Sequence, residues 1–215
     1  MPWRPSRGLR DGLRQEYGEK VWETLDEPVS NSSPIVIEAG GARQLIVWTD
    51  QSLSSLDPDT GAVWWREPMT TSNNDSIPTP VRQGDRLLVA GLMLKLHEDE
   101  PEAAILWPQS RAPGKRILSN TSTAVLAGNH VYSARMTGAL VCLDAESGEE
   151  VWSVDTVTAN RRGASIHVTP NGNAAFLFTD EGNLIRARLS PKGYEELGRA
   201  RLIEPTSPFG QGKFA

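Results

Sequence analysis

Asp57-Pro58-Asp59-Thr60-Gly61-Ala62-Val63-Trp64-Trp65 aligns without a gap on Asp144-Ala145-Glu146-Ser147-Gly148-Glu149-Glu150-Val151-Trp152. Both copies read Asp-x-x-[Ser/Thr]-Gly-x-x-x-Trp, and their tryptophans are 87 residues apart. Halving that interval predicts an apolar residue near position 108, where Trp107 stands. The same step finds Trp22 upstream and Leu197 downstream. The ladder Trp22, Trp65, Trp107, Trp152, Leu197 then has steps of 43, 42, 45 and 45 residues. A period of this length belongs either to propeller blades or to helical pairs of the HEAT kind.

The patterning inside each unit decides between them. Apolar residues come in runs of four to six, separated by Gly, Asp, Asn, Ser and Pro, and this is how strands and turns are punctuated. The unit ending at Trp65 reads Pro34–Ile37, Leu45–Trp48, Ser52–Leu56 and Ala62–Trp65. The next has Arg86–Ala90, Leu92–Leu96 and Ala103–Trp107. The third has Thr123–Leu126, Val131–Ala134, Leu140–Leu143 and Glu150–Ser153, and the last Ser165–Val168, Ala174–Phe178, Leu184–Ala187 and Tyr194–Gly198. No window keeps apolar residues at i, i+3, i+4 and i+7 over three turns, so helices are excluded. The expected fold is all-β: a partial β-propeller of about four consecutive four-stranded antiparallel blades.

The turn before each last strand has a physical basis. An Asp carboxylate accepts backbone N–H groups two or three residues on, and Gly adopts the positive φ that closes the hairpin. The aromatic that follows packs on a neighbouring sheet, because a single blade cannot bury its own face. Asp57, Gly61, Asp144 and Gly148 are therefore read, with the ladder residues, as structural repeat positions.

Four strands per unit, this period and this turn resemble the repeats of pyrroloquinoline-quinone (PQQ)-type propellers. The resemblance covers roughly residues 18–200. It implies a ring of seven or eight blades and hence a fragment of a larger propeller. Residues 1–17 are expected to be a poorly ordered arm. The last strand of one blade and four full blades fill 18–200, and a further, truncated blade starts in 201–215. Two functional classes share these repeats. Quinoprotein dehydrogenases hold the quinone on the axis beside calcium. Propellers like the outer-membrane assembly lipoproteins only hold partners. The family is typically periplasmic or extracytoplasmic.

Composition narrows the choice. A net charge of -5 argues against a nucleic-acid partner, which needs clustered Lys and Arg. The basic residues Arg4, Arg7, Arg10 and Arg14 alternate with other residues and read as a solvated arm. The single cysteine, Cys142, lies in an apolar run and reads as a buried thiol. It also rules out the adjacent cysteine pair that many quinoproteins pack on PQQ. No 18-residue apolar run predicts a membrane span, and no secretory signal is read in the first thirty residues, so the chain as written reads as cytoplasmic.

Asn73, Asn74, Asp75 and Asn120 are candidate calcium ligands, with a connecting-loop composition as their plainer reading. His97, His130 and His167 are too dispersed for a metal motif. Lys95-Leu96-His97-Glu98-Asp99-Glu100-Pro101-Glu102 replaces the repeated turn with acidic residues and reads as a solvated loop, with an exposed acidic interaction patch as the alternative. Arg161-Arg162-Gly163 reads as an inter-blade loop, with a place facing a ligand in the axial funnel as the alternative. The expected function is a non-catalytic scaffold or protein-binding module with no catalytic, cofactor or metal residues. A PQQ- and calcium-dependent dehydrogenase segment is the alternative. The expected partner is a protein, a missing propeller segment or a second copy of the chain.

Overall fold

The computed structural model describes residues 11–13, 18–70, 76–108, 118–119, 121–161, 163–209 and 212–214. Among them every regular element is a strand. Blade 1 comprises β3 (Ile35–Ala39), β4 (Ala42–Trp48), β5 (Ser52–Leu56) and β6 (Val63–Pro68). Blade 2 comprises β7 (Val81–Gln83), β8 (Arg86–Val89), β9 (Leu92–Leu96) and β10 (Ala103–Trp107). Blade 3 comprises β11 (Val125–Ala127), β12 (His130–Ala134), β13 (Leu140–Asp144) and β14 (Glu150–Val154). Blade 4 comprises β15 (Ile166–Asn171), β16 (Ala174–Thr179), β17 (Asn183–Ser190) and β18 (Gly193–Arg201). Each is a four-stranded antiparallel meander in chain order, as the repeat predicts.

Two shorter hairpins flank the blades. β1 (Asp11–Leu13) pairs with β2 (Lys20–Glu23), so the strand carrying Trp22 has a partner inside the expected arm. β19 (Ser207–Phe209) pairs with β20 (Gly212–Phe214). The first strand of blade 2 escapes the sequence reading because Val81-Arg82-Gln83 is short and mostly polar. It can be polar because the first strand of each blade packs one edge against its neighbours: β7 lies against β11, and β11 against β15. Pro170 is tolerated in β15 for a related reason, since this strand pairs on one side only.

Between the hydrogen-bonded sheets lie separate apolar layers. Ile46, Trp48 and Leu53 of blade 1 meet Leu87, Leu92 and Leu94 of blade 2. Leu88 and Met93 of blade 2 meet Val131, Val141 and Leu143 of blade 3. Ala134 and Leu140 of blade 3 meet Ile166, Leu177 and Ile185 of blade 4. Alternate residues of one strand thus face opposite neighbours: Leu94 serves the first layer and Met93 the second. At about 1.5–3 kcal/mol for each fully buried large aliphatic side chain, the blade joints carry the stability.

The connections that enter each blade are also stitched together. Ser32 Oγ donates to the Pro78 carbonyl at 2.8 Å, and the Thr79 N–H donates to Thr123 Oγ1 at 3.1 Å. These two bonds tie three successive entry loops in series.

Candidate functional site

The repeated turn forms as its residues require. Asp57 Oδ1 accepts the N–H groups of Asp59 at 2.7 Å and Thr60 at 3.2 Å. Asp144 Oδ1 accepts those of Glu146 and Ser147, both at 2.9 Å. These bonds favour the ionised form and hold both carboxyls below their ordinary range. The Asp59 N–H is the main cause at Asp57 and the Ser147 N–H at Asp144. Gly61 and Gly148 have φ of +74° and +73°.

Each of these glycines supports the tryptophan of the blade before it. Trp22 Nε1 donates to the Pro58 carbonyl at 3.0 Å, and Trp107 Nε1 to the Ala145 carbonyl at 3.0 Å. A Cβ at Gly61 would stand 2.6 Å from the Trp22 ring, and one at Gly148 2.7 Å from the Trp107 ring. Trp152 follows the same scheme on the shorter last turn, donating to the Ser190 carbonyl at 2.8 Å. Trp22, Trp107 and Trp152 therefore close joints between blades. Leu197 is the unpaired residue of a bulge in β18 and is exposed.

One joint breaks the scheme. His97 takes the place of the turn aspartate. Its N–H donates to the Glu102 carbonyl at 2.9 Å, as that of Asp57 does to Ala62 at 2.8 Å, and its Nδ1 accepts the Asp99 N–H at 3.4 Å. Without a gap, Pro101 then stands where Gly61 and Gly148 stand. Proline has φ near −65° and no N–H, so it can supply neither the positive φ nor the bond that Gly61 donates to the Asp57 carbonyl at 2.8 Å. The turn opens. The Glu100 carbonyl lies so close to Gly40 that a Cβ there would be 1.9 Å away. Trp65 turns to its own blade, where Nε1 donates to Gln44 Oε1 at 3.2 Å, and Ser55 Oγ donates to the same atom at 2.7 Å. Gln44→Ala is expected to cost about 2 kcal/mol, measured by urea unfolding, because Ser55 is buried and both donors lose their acceptor.

The opened turn separates two depressions. A groove of about 1140 Å³ lies between the β3–β4 turn of blade 1 and the turns of blade 2. Small residues (Gly40, Gly41, Ala42, Ala103) line it together with Arg43, Arg82, Lys95 and Glu98. On the other side a cleft of about 460 Å³ is lined by Asp57, Ala62, Val63, Trp64, Glu100, Pro101 and Glu102.

The remaining candidates do not converge. His97 belongs to the turn, His130 stacks on Tyr132 with centroids 6.5 Å apart, and His167 is exposed on β15. Among the described residues no group of three or more His, Cys, Asp and Glu could hold a metal ion. Asn73, Asn74, Asp75, Asn120, Arg162 and the N-terminal arginines lie outside the described residues. With one cysteine, the sequence lacks the adjacent pair of thiols that many PQQ sites use. Arg161 ties an entry loop to blade 4, pairing with Asp180 at 2.6 Å, and Thr158 donates to the same carboxylate at 2.8 Å. An equivalent tie that sequence reasoning missed is Glu27, a buried carboxylate that holds Thr49, Ser52 and Arg66. Only its position before the first blade set it apart from surface glutamates.

Cys142 is buried and pairs in register with Tyr132. Burial, reinforced by the neighbouring Cys142, pushes the Tyr132 phenol up to about 12, and burial likewise raises the thiol. An unfolded tyrosine ionises near 10, so stability is fully present below that pH and falls as pH rises from about 10 towards 12. Tyr132→Phe should flatten this alkaline slope in urea titrations taken at each pH.

A family model described as outer membrane protein assembly factor BamB matches residues 97–190. No curated protein matches the sequence. Among solved structures, the chain is similar to BamB from Moraxella catarrhalis, with a TM-score of 0.66 and 15% identity over 91% of this chain and 58% of that one. It is also similar to the Cps50 (Swd1) β-propeller domain of Myceliophteria thermophila, with a TM-score of 0.51 and 10% identity over 78% of this chain and 59% of that one. The chain thus spans less than two thirds of either structure. With four antiparallel blades and tryptophans that dock on the next blade's turn, it is an all-β partial propeller that resembles the outer membrane protein assembly factor, whose family model it matches over 97–190.

Proposed function

We propose that the chain is a non-catalytic scaffold that holds a protein partner at the joint between blades 1 and 2, without PQQ or calcium. The observation that carries this reading is the broken turn at His97–Glu102. Elsewhere along the ladder a tryptophan seals the joint on the following turn; here the seal is absent and a groove of about 1140 Å³ lies open, with side chains of both charges on its walls. Depressions that combine small residues with a few convergent polar groups are where ligands and partner segments bind. The resemblance to the assembly factor supports a binding role and an extracytoplasmic compartment. No helix among the described residues is long and apolar enough to cross a membrane.

A photo-crosslinking side chain at Ala42 tests the reading against one at Lys192 on the β17–β18 turn. Discrete protein adducts are expected at position 42 and not at 192, and Pro101→Gly, which restores the turn glycine, should reduce them. Alcohol- or sugar-dependent dye reduction after adding PQQ and calcium would overturn the reading in favour of a quinoprotein segment.

A further inference from the structure

The cleft on the other side of the broken turn has a different chemistry from the groove. Of its seven lining residues, three are carboxylates (Asp57, Glu100 and Glu102) and none is cationic. The rest are apolar: Ala62, Val63, Trp64 and Pro101. Two local departures from the repeat meet there. The first is the acidic turn. The second is Trp64, which occupies the bulge of β6: Ser55 pairs with Trp65 and Leu56 with Val63, leaving Trp64 unpaired. The equivalent bulge residues are Leu106 in blade 2, Val151 in blade 3 and Leu197 in blade 4, so among the four blades only blade 1 puts an aromatic residue at this place. A bulge re-aims its side chain out of the strand's regular alternation, and Trp64 is among the residues that line the cleft.

An aromatic side chain beside carboxylates that form no ion pair among the described residues is suited to a cation on an apolar stem. The ring quadrupole attracts the charge, the carboxylates compensate it, and the indole and proline cover the methylenes. Hydrogen bonds within its own turn keep Asp57 ionised without using its charge, because its bonding partners there are neutral N–H groups.

We infer that the cleft formed by Trp64, Asp57, Glu100 and Glu102 is a receptor for a lysine or arginine side chain presented by an extended segment of a partner protein. This rests on the scaffold reading and specifies the partner: a segment lying along the blade 1–blade 2 rim, with a basic residue seated in the cleft.

Fluorescein-labelled hexalysine and hexa-arginine peptides, titrated with the full chain at low salt and read by anisotropy, test the inference. Hexaglutamate and a Gly-Ser hexamer serve as controls. Both basic peptides should bind, and Trp64→Ala should weaken them by about fivefold or more while Trp64→Phe retains most of the affinity. The pair Glu100→Gln and Glu102→Gln should weaken binding and flatten its salt dependence. The pair Glu149→Gln and Asp155→Asn, which removes the same charge elsewhere, should leave it unchanged. The inference is overturned if the basic peptides bind no better than Gly-Ser. It is overturned equally if Trp64→Ala, folded by circular dichroism, binds like the parent, or if the remote pair weakens binding as much as the cleft pair. Should Trp64→Ala not fold, the two glutamine pairs decide alone. These outcomes leave the scaffold reading standing, since that reading falls on turnover with PQQ and calcium or on the Ala42 crosslinks.

Discussion

Gly148→Ala is expected to destabilise the protein by about 3–5 kcal/mol, seen as a lower urea midpoint at constant slope. Two costs combine. An alanine held at φ +73° carries about 1–3 kcal/mol of backbone strain. Its Cβ would also stand 2.7 Å from Trp107 Cδ2, and forcing a methyl into a filled joint costs about 1–3 kcal/mol. Trp107 cannot withdraw freely, because it is 5% exposed and its Nε1 is bonded to the Ala145 carbonyl. Gly84→Ala separates the two costs: at φ +63° with nothing within 4 Å of the new Cβ, it should lose only the strain, about 1–2 kcal/mol. Trp107→Ala should make the second cost vanish, so the two substitutions together are expected to fall well short of additive. Additive effects would mean that the ring does not rest on the glycine.

Trp48→Ala should cost about as much, 3–5 kcal/mol, for a different reason. Trp48 is among the largest fully buried side chains and stands in the layer between blades 1 and 2. Its Nε1 bonds to the Met69 carbonyl at 3.2 Å, so truncation leaves both a cavity and an unpaired buried carbonyl. Trp48→Phe keeps most of the packing and should cost roughly half as much. Because stability in a repeat protein is a sum of unit and joint terms, the loss should be local as well as global. Amide exchange should rise first in β4, β5, β8 and β9, the strands that face this layer, before it rises in blade 4. Uniform acceleration across all blades would show instead that the blades unfold as one unit.

How much was legible differs from joint to joint. The Asp and Gly of the turns at 57–61 and 144–148 could be read directly, because their roles depend on the few residues around them: a carboxylate that accepts nearby N–H groups and a backbone at positive φ. The acidic loop at 97–102 could be read as a departure for the same reason. Its consequence could not. That Glu100 presses on Gly40 and that Trp65 turns to Gln44 are contacts across 20 to 60 residues of chain. The bulges were equally hidden. A bulge shifts the register by one residue, so Trp107 reaches its turn past the bulge at Ile105–Trp107, while Leu197 lands on a bulge and docks on nothing described.

By itself, then, the sequence determined the period, the all-β class, the number of blades and the chemistry of the regular turns. Each of these follows from local rules: side-chain alternation, turn residues and the need of every blade for a neighbour. Only the tertiary structure decided which tryptophan closes which joint, and that Trp64 faces the carboxylates of the acidic turn. Those pairings join residues of different blades, and their distances depend on how the twisted sheets stack, which no single unit encodes.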